Sequence, residues 1–412
     1  MNDQKVADEF LRLACLSYSA DDRARPIQAA ALLAERPDIA GFSVHVMAAL
    51  GDHAAVAMAI AIDHTSATVR GGPFDWEPLL YTAYSRLTPE GQRFDAVATA
   101  HVLLQAGADP NAGYLWDGLY PPFTALTGAF GCGEGGQPAH PRSIELARML
   151  LQAGADPNDG QTIYNKGLGN AQLRDDTEWL ALLYEYGFGT PQDGPWCRQL
   201  GDALQSPTDL VAEVLHHSAR MGLVNRTRLV LDHGSDPNRP GRHPAFRDRT
   251  PYQDAVANGH REPAQLLVNA GADTTRIDVH TRFLGAMVSG DQLLVEAMLN
   301  TQPELMPTMR SGHPGLIRKA AELGHHQAID MLVGYGFDVN HHDQATALHE
   351  AALRNDRAMV DLLLRHGGDL AIVDHDNNST PAGWAEWAGH HELARHLTLL
   401  HPSTEDPAQE TS

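Results

Sequence analysis

The amino-acid sequence predicts an all-α solenoid, about ten helix-turn-helix repeats stacked side by side, with inserted loops in the N-terminal half. Three observations carry this prediction. A two-part motif recurs: TALHEAALRND at 346–356 with MVDLLLRHGGD at 359–369 reads as two short helices joined by a tight turn and closed by glycine. Residues 250–260 with 263–273, 315–325 with 328–340, and 380–390 with 392–400 repeat it. The spacing is regular, since 31 residues separate Thr250 from Thr281 and Gly336 from Gly367, and 65, about two periods, separate Gly271 from Gly336. The closing turn also survives where the rest diverges, as GADPN at 107–111 and 154–158 and GSDPN at 234–238.

Taken in order, residues 1–41 carry two apolar helical patterns, Phe10, Leu11, Leu13 and Leu16, then Ile27, Ala30, Leu32 and Leu33. They are expected to cap the first repeat, because a solenoid end must shield its core. Residues 42–211 form divergent repeats. Their first helices are VHVMAALGD at 44–52, EPLLYTA at 77–83 and TALTGAF at 124–130, and SIELARMLLQ at 143–152 is a second helix. Between the last two lies GCGEGGQPAHPR at 131–142, a Gly/Pro-rich stretch read as a flexible insert. WLALLYEYG at 179–187 closes a fourth unit.

Residues 212–400 are more regular, and one unit hides at 281–300 with its G-A-D ending replaced by TQPELM. The units start near Phe42, Glu77, Thr124, Thr162, Glu213, Thr250, Thr281, Gly315, Thr346 and Thr380. Each position has a local reason. Thr250 and Thr380 start helices and precede Pro251 and Pro381, where a missing N–H costs nothing. Small Ala255, Ala320 and Ala351 let neighbouring helices approach. Gly271, Gly336 and Gly367 end second helices, and Asp or Asn after them favours the turn to the next unit. The polar, Pro-containing end, 401–412, reads as a disordered tail.

These motifs resemble ankyrin repeats, with T-P-L-H-x-A-A at the first helix and L-L-L-x-x-G-A-D-x-N at the end of the second. The resemblance covers roughly residues 42–400 and implies a non-enzymatic protein-interaction scaffold or regulator, with specificity in loop fingers and first-helix surfaces.

Composition narrows the partners. Thirty Lys+Arg against 52 Asp+Glu leave a net charge of −22, which disfavours nucleic acid and anionic membranes and suits a basic protein partner. The longest uncharged apolar run, 54–62, is half of what a membrane span needs, and the N-terminus has no export signal. Three cysteines without C-x-x-C fit a reducing cytoplasm. Three lysines among 30 cations, with heavy Ala use, point to a GC-rich bacterial source, and a monomer is expected.

Twenty-three histidines with four HH pairs invite a metal reading, but no H-x-x-x-H or mixed Cys/His spacing accompanies them, so no metal and no cofactor is expected. G-x-S-x-G, P-loop and H-E-x-x-H motifs are missing from the sequence, and no catalytic residue is assigned. The alternative to a binding scaffold is an enzyme or small-ligand binder whose pocket forms from Trp116, Cys132, Glu134, His140 and Tyr164 on inserts of the second to fourth repeats.

The aromatic residues concentrate in the N-terminal half, in FDWEPLLYTAY at 74–84 and GYLWDGLYPPF at 113–123. The second stretch lies where ankyrin proteins project β-hairpin fingers. Aromatic side chains offer large contact areas with few rotatable bonds. Trp76, Tyr81, Trp116, Tyr120 and Phe123 are therefore the candidate hot spots. Residues 220–249 hold seven Arg against three Asp, and RPGRHPAFRDR at 239–249 reads as an extended finger. Arg239, Arg242, Arg247 and Arg249 are its candidate electrostatic contacts.

Overall fold

The computed structural model describes residues 3–400 except 20, 23, 170–173 and 192. The expected disordered tail at 401–412 lies outside the described residues. The chain forms two compact units, Met1–Val214 and Leu215–Ser412, with the boundary inside the helix Pro207–Arg220. The described residues are mostly helical, and their one named sheet is a two-stranded hairpin.

In the first unit short helices alternate with longer ones. Val44–Leu50 precedes His53–Ile62, Pro78–Tyr84 precedes Ala96–Gln105, Ala125–Phe130 precedes Ser143–Gln152, and Gly160–Lys166 precedes Glu178–Glu185. First helices stack on first helices and second on second. Side-chain caps start three of the short ones, and Pro78 at the first helical position starts the other. Ser43 accepts from Val46 N–H, Thr124 forms a reciprocal capping box with Thr127, and Asp159 accepts from Thr162 N–H. Seats between neighbours are tight: a Cβ on Gly128 would lie 2.4 Å from the Tyr84 ring.

The second unit repeats the scheme more simply. Pro251–Ala257 pairs with Arg261–Asn269, Val279–Val288 with Gln292–Thr301, Leu316–Glu322 with His326–Gly334, Ala347–Leu353 with Arg357–Arg365, and Pro381–Trp387 with His391–Leu400. One apolar core including Phe283, Val288, Leu316, Ile329, Leu332, Leu348 and Leu363 runs through the last four of these pairs. At about 1.5–3 kcal/mol per fully buried large apolar side chain, such a core carries most of the favourable folding energy.

The recurring wording of the closing turn has a structural cause common to both units. Asn111 Nδ2 donates to Gly154 O (3.0 Å) while its Oδ1 accepts from Asp156 N–H (2.8 Å). Asn238 makes the same two bonds to Gly271 and Asp273, and Asn340 to Gly367 and Asp369. Each asparagine thus clasps the turn of the following helix pair. That turn needs the left-handed conformation, with φ +86° at Gly367, which glycine adopts without steric cost.

Four sequence expectations change. The TQPELM stretch leads into an additional helix, Leu305–Gly312, whose Leu305, Met306 and Met309 fill the space under the missing turn. The insert at 131–142 is fastened rather than flexible. Arg86, buried, donates to Pro138 O, Gly128 O, Ala83 O and Ser85 O, while Cys132 N–H bonds Gln137 O and His140 N–H bonds Ala129 O. The finger at 239–249 folds back on itself, Gly241 N–H bonding Arg249 O, and its Phe246 is buried against the His216 ring, 4.8 Å between centroids.

The N-terminal segment does more than shield one end. Helix Asp3–Ala14 packs on Val44–Leu50, and the chain then crosses successive pairs. Leu16 N–H bonds Tyr84 O, Arg86 N–H bonds Ala14 O, and the Tyr18 hydroxyl accepts from Asn165 Nδ2 at 2.9 Å. In the second patterned stretch, helix Arg25–Glu35 buries Ala29 and leaves Ile27 exposed.

Candidate partner-binding surface

The hairpin Gly113–Trp116 with Leu119–Thr124 dominates the irregular unit. It turns at Asp117 and Gly118, both with positive φ (+48° and +75°), the backbone that the two-residue Asp-Gly hairpin turn requires. Its base is propped by Trp196, which donates Nε1–H to Asn111 O at 2.9 Å and lies against Gly113. The Asp-Gly pair is legible in the sequence as a turn dipeptide, whereas the propping role of Trp196 follows only from its position in space.

The aromatic candidates separate into two groups. Trp76, Tyr81 and Phe123 are buried, which corrects their assignment as surface hot spots. They belong to a continuous ladder of rings: Phe74 on Trp76 (4.4 Å between centroids), Trp76 on Tyr114 (4.9 Å), Tyr114 on Phe123 (5.5 Å) and Phe123 on Tyr18 (5.0 Å). Tyr81 seals the preceding finger by donating its hydroxyl to Gly71 O at 2.8 Å. The physical reason is competition. Loops carrying this much apolar area bury it in their own small core before it can serve a partner.

What stays outside is the hairpin tip, where Trp116, Leu119 and Tyr120 are 40, 59 and 58% exposed against 4% for Trp76. Leu119, which pairs with Trp116 across the turn, was missed because single leucines carry no surface signal in a sequence.

The arginines separate in the same way. Arg249 turns inward, its guanidinium bonded to the fully buried Asp254 carboxylate, which also bonds His216 Nδ1 at 2.8 Å. Its side chain stays 40% exposed, but this ion pair already engages its guanidinium. Arg239 is half-buried and its carbonyl bonds His216 Nε2 (2.9 Å), whereas Arg242 and Arg247 are exposed.

The five residues of the pocket alternative do not converge. Tyr164 donates a short hydrogen bond to Glu134 on an exposed loop, and Trp116 sits at the hairpin tip. His140 is buried with Nδ1 accepting from Arg142 N–H, and burial holds its pKa down to about 3. Burial pushes the Cys132 thiol up, away from the reactive thiolate. The neighbouring cleft of about 170 Å³ is lined by Asp21, Arg25, Arg86 and residues 135–138, none of them from that set.

The paired histidines also go separate ways. His325 bonds Asn258 O and His326 bonds Asp356; His390 bonds Leu353 O and His391 bonds Glu386. His349 bonds Thr346 at its own helix start and Ser379 O of the next turn. Among the described residues no three His, Cys, Asp or Glu side chains group as metal ligands would, and no helix is long and apolar enough to cross a membrane.

Stacked helix pairs define a helical-repeat protein, and comparison with known proteins gives the repeat type of its C-terminal part. Residues 316–407 match the family model for ankyrin repeats, in three copies. A 93-residue stretch is 37% identical to human Ankyrin repeat and SOCS box protein 6, covering 22% of each chain. Human Ankyrin repeat and IBR domain-containing protein 1 is 26% identical over 191 residues, 44% of this chain and 17% of that one. Mouse Inactive serine/threonine-protein kinase TEX14 is 42% identical over 72 residues, 17% of this chain and 5% of that one. The chain thus spans less than a quarter of the length of these curated relatives. Ankyrin repeats are protein-interaction repeats, and the likeness extends to that level.

Proposed function

We propose that this protein is a non-enzymatic binding scaffold or regulator that holds a protein partner chiefly through the hairpin tip, Trp116, Leu119 and Tyr120. One observation carries the reading: the tip's apolar side chains stay exposed on a hairpin whose base is rigidly propped, while the rest of the same aromatic set is buried. Rigid exposed aromatics lose little entropy on binding. Arg242 and Arg247 form a secondary contact that answers acidic groups on a partner.

In this reading the nine helix pairs described above, together with Pro207–Arg220 followed by Val224–Asp232, make ten ankyrin repeats, and residues 3–41 cap the first of them. The net charge of −22 favours a basic partner and no nucleic acid. The protein is cytoplasmic and monomeric in this reading, with a bacterial source suggested by its arginine-rich composition.

The test is affinity capture followed by titration of the captured partner. Trp116→Ala with Tyr120→Ala weakens it by about 2 kcal/mol or more, on the order of 30-fold. Arg242→Ala with Arg247→Ala gives a smaller loss that shrinks as salt rises. Unchanged affinity in a folded Trp116/Tyr120 double variant overturns the proposal.

A further inference from the structure

The regular unit contains one irregular step. The second helix Gln292–Thr301 packs on its own first helix, Val279–Val288, buries only Val295 and leaves Leu293 81% exposed. The turns of the pairs before and after it meet. His260 and His325 stand 65 residues apart in the chain, yet their rings lie 5.1 Å apart between centroids.

A backbone carbonyl places the proton on each ring. His325 Nε2 donates to Asn258 O at 3.0 Å, which leaves Nδ1 as the lone pair. The His260 ring donates to the Arg220 carbonyl, and because its buried Nε2 has no partner among the described residues, that bond uses Nδ1. Nε2 is then the lone pair of His260.

A third acceptor stands in the same turn. Asn258 is 2% exposed, its Nδ2 donates to Asp254 O (2.7 Å), and its Oδ1 is buried without a partner among the described residues. Buried acceptors that meet no donor cost free energy, and a cation is a group that answers several lone pairs at once. Both rings line a cleft of about 470 Å³, together with Glu262, Ser289 and Gln327.

The ring spacing suits a shared ion. Two imidazoles on a tetrahedral zinc, at Zn–N about 2.0–2.1 Å, set their ring centroids about 5 Å apart. A carbonyl on the other ring nitrogen is also the partner that orients metal-binding histidines.

We propose that His260 Nε2 and His325 Nδ1 bind a divalent transition-metal cation of the zinc, copper and nickel class, the class that neutral imidazole donors suit. Among the described residues no third His, Cys, Asp or Glu side chain groups with them, so water completes the coordination. The charge of Lys319 acts on both rings and opposes the ion, while Glu262 at the cleft favours it. Binding is therefore weaker than at a closed four-ligand site. The site belongs to the second unit alone and does not depend on the hairpin reading.

The probe is zinc chloride, titrated by calorimetry into the full-length protein after chelation has removed bound metal. The unaltered protein takes up zinc, and His260→Gln and His325→Gln each weaken that binding by about tenfold or more. His341→Gln with His342→Gln, a pair adjacent in the chain, leaves it unchanged. Anomalous diffraction at the zinc edge, from crystals of the unaltered protein grown with the ion, carries the test if the variants do not fold. Its peak is expected between His260 and His325. No zinc binding by the unaltered protein, equal affinity in the folded single variants, or a peak only at other histidines overturns the proposal.

Discussion

The two compact units build the same helix-pair scheme by different means. In Leu215–Ser412 a short code suffices: apolar stripes, small alanines and a glycine-asparagine turn generate one continuous core through successive pairs. In Met1–Val214 inserts interrupt that code, and buried polar and aromatic groups replace it. Arg86 gathers four carbonyls, Asp159 ties Thr124, Thr127 and Thr162 together, and a ladder of rings packs the fingers. The difference teaches that inserts add their own directional bonds, such as those of Arg86 and Asp159, to the turn clasps and apolar contacts that both units share. It also explains why the hairpin insert leaves Trp116 and Tyr120 exposed, since the inserts supply more apolar area than their own core absorbs.

The strongest way to break this comparison is to remove one keystone from each unit. Arg86→Ala strips a buried donor from four carbonyls and is expected to cost about 4 kcal/mol. Leu363→Ala leaves only a cavity in the regular core and costs about 3 kcal/mol. Urea unfolding checks the order. A larger loss from Leu363→Ala would mean that the irregular unit also stands chiefly on apolar contact.

Acid titration gives a smaller effect, of opposite sign at one buried group of each unit, Asp159 and His260. Burial raises the Asp159 carboxyl from 3.8 to about 6, so the folded protein keeps a proton that the unfolded chain has lost. Its contribution is full below about pH 4 and disappears as pH rises through about 6, and Asp159→Asn removes about 2 kcal/mol of that pH dependence. His260 is held by burial from 6.5 down to about 4, so its contribution is present above about pH 6.5 and is lost as pH falls toward about 4. His260→Asn flattens that acid limb. Melting temperatures of both variants and the unaltered protein from pH 4 to 7 show whether the two slopes oppose.

The smallest effect sharpens what the units share. Asn111→Ala and Asn340→Ala each lose the two-bond clasp on the following turn, and each should cost about 1 kcal/mol. Equal losses by thermal melting mark the clasp as common currency; a marked inequality would tie it to one unit.

Much of the fold was legible because its signals are local. Thr250 with Pro251, the G-A-D-P-N endings and the apolar stripes each act within a few residues, so SIELARMLLQ at 143–152 is the helix Ser143–Gln152. The finger at 113–123 is the hairpin, for the same reason. The additional helix Leu305–Gly312 escaped because its pattern, LMPTMRSG, contains a proline and reads as a loop until the gap it fills is known.

The binding surface was half legible. Aromatic clustering located the region, but nothing in the letters separates Trp76 from Trp116. One lands between Phe74, Tyr84 and Tyr114, the other at the end of a turn. Arg247 and Arg249 differ likewise, two residues apart, because only the second meets Asp254.

The sequence by itself determined the repeating helix pairs, their period, the turns that close them and the acidic net charge, since each follows from contacts a few residues apart or from composition. Tertiary structure alone decided which aromatic and cationic side chains face out, where Arg86 spends its hydrogen bonds, and that Tyr18 reaches Asn165, 147 residues away. Burial is a property of what lies across the fold, and distant segments choose that neighbour only when the whole unit packs.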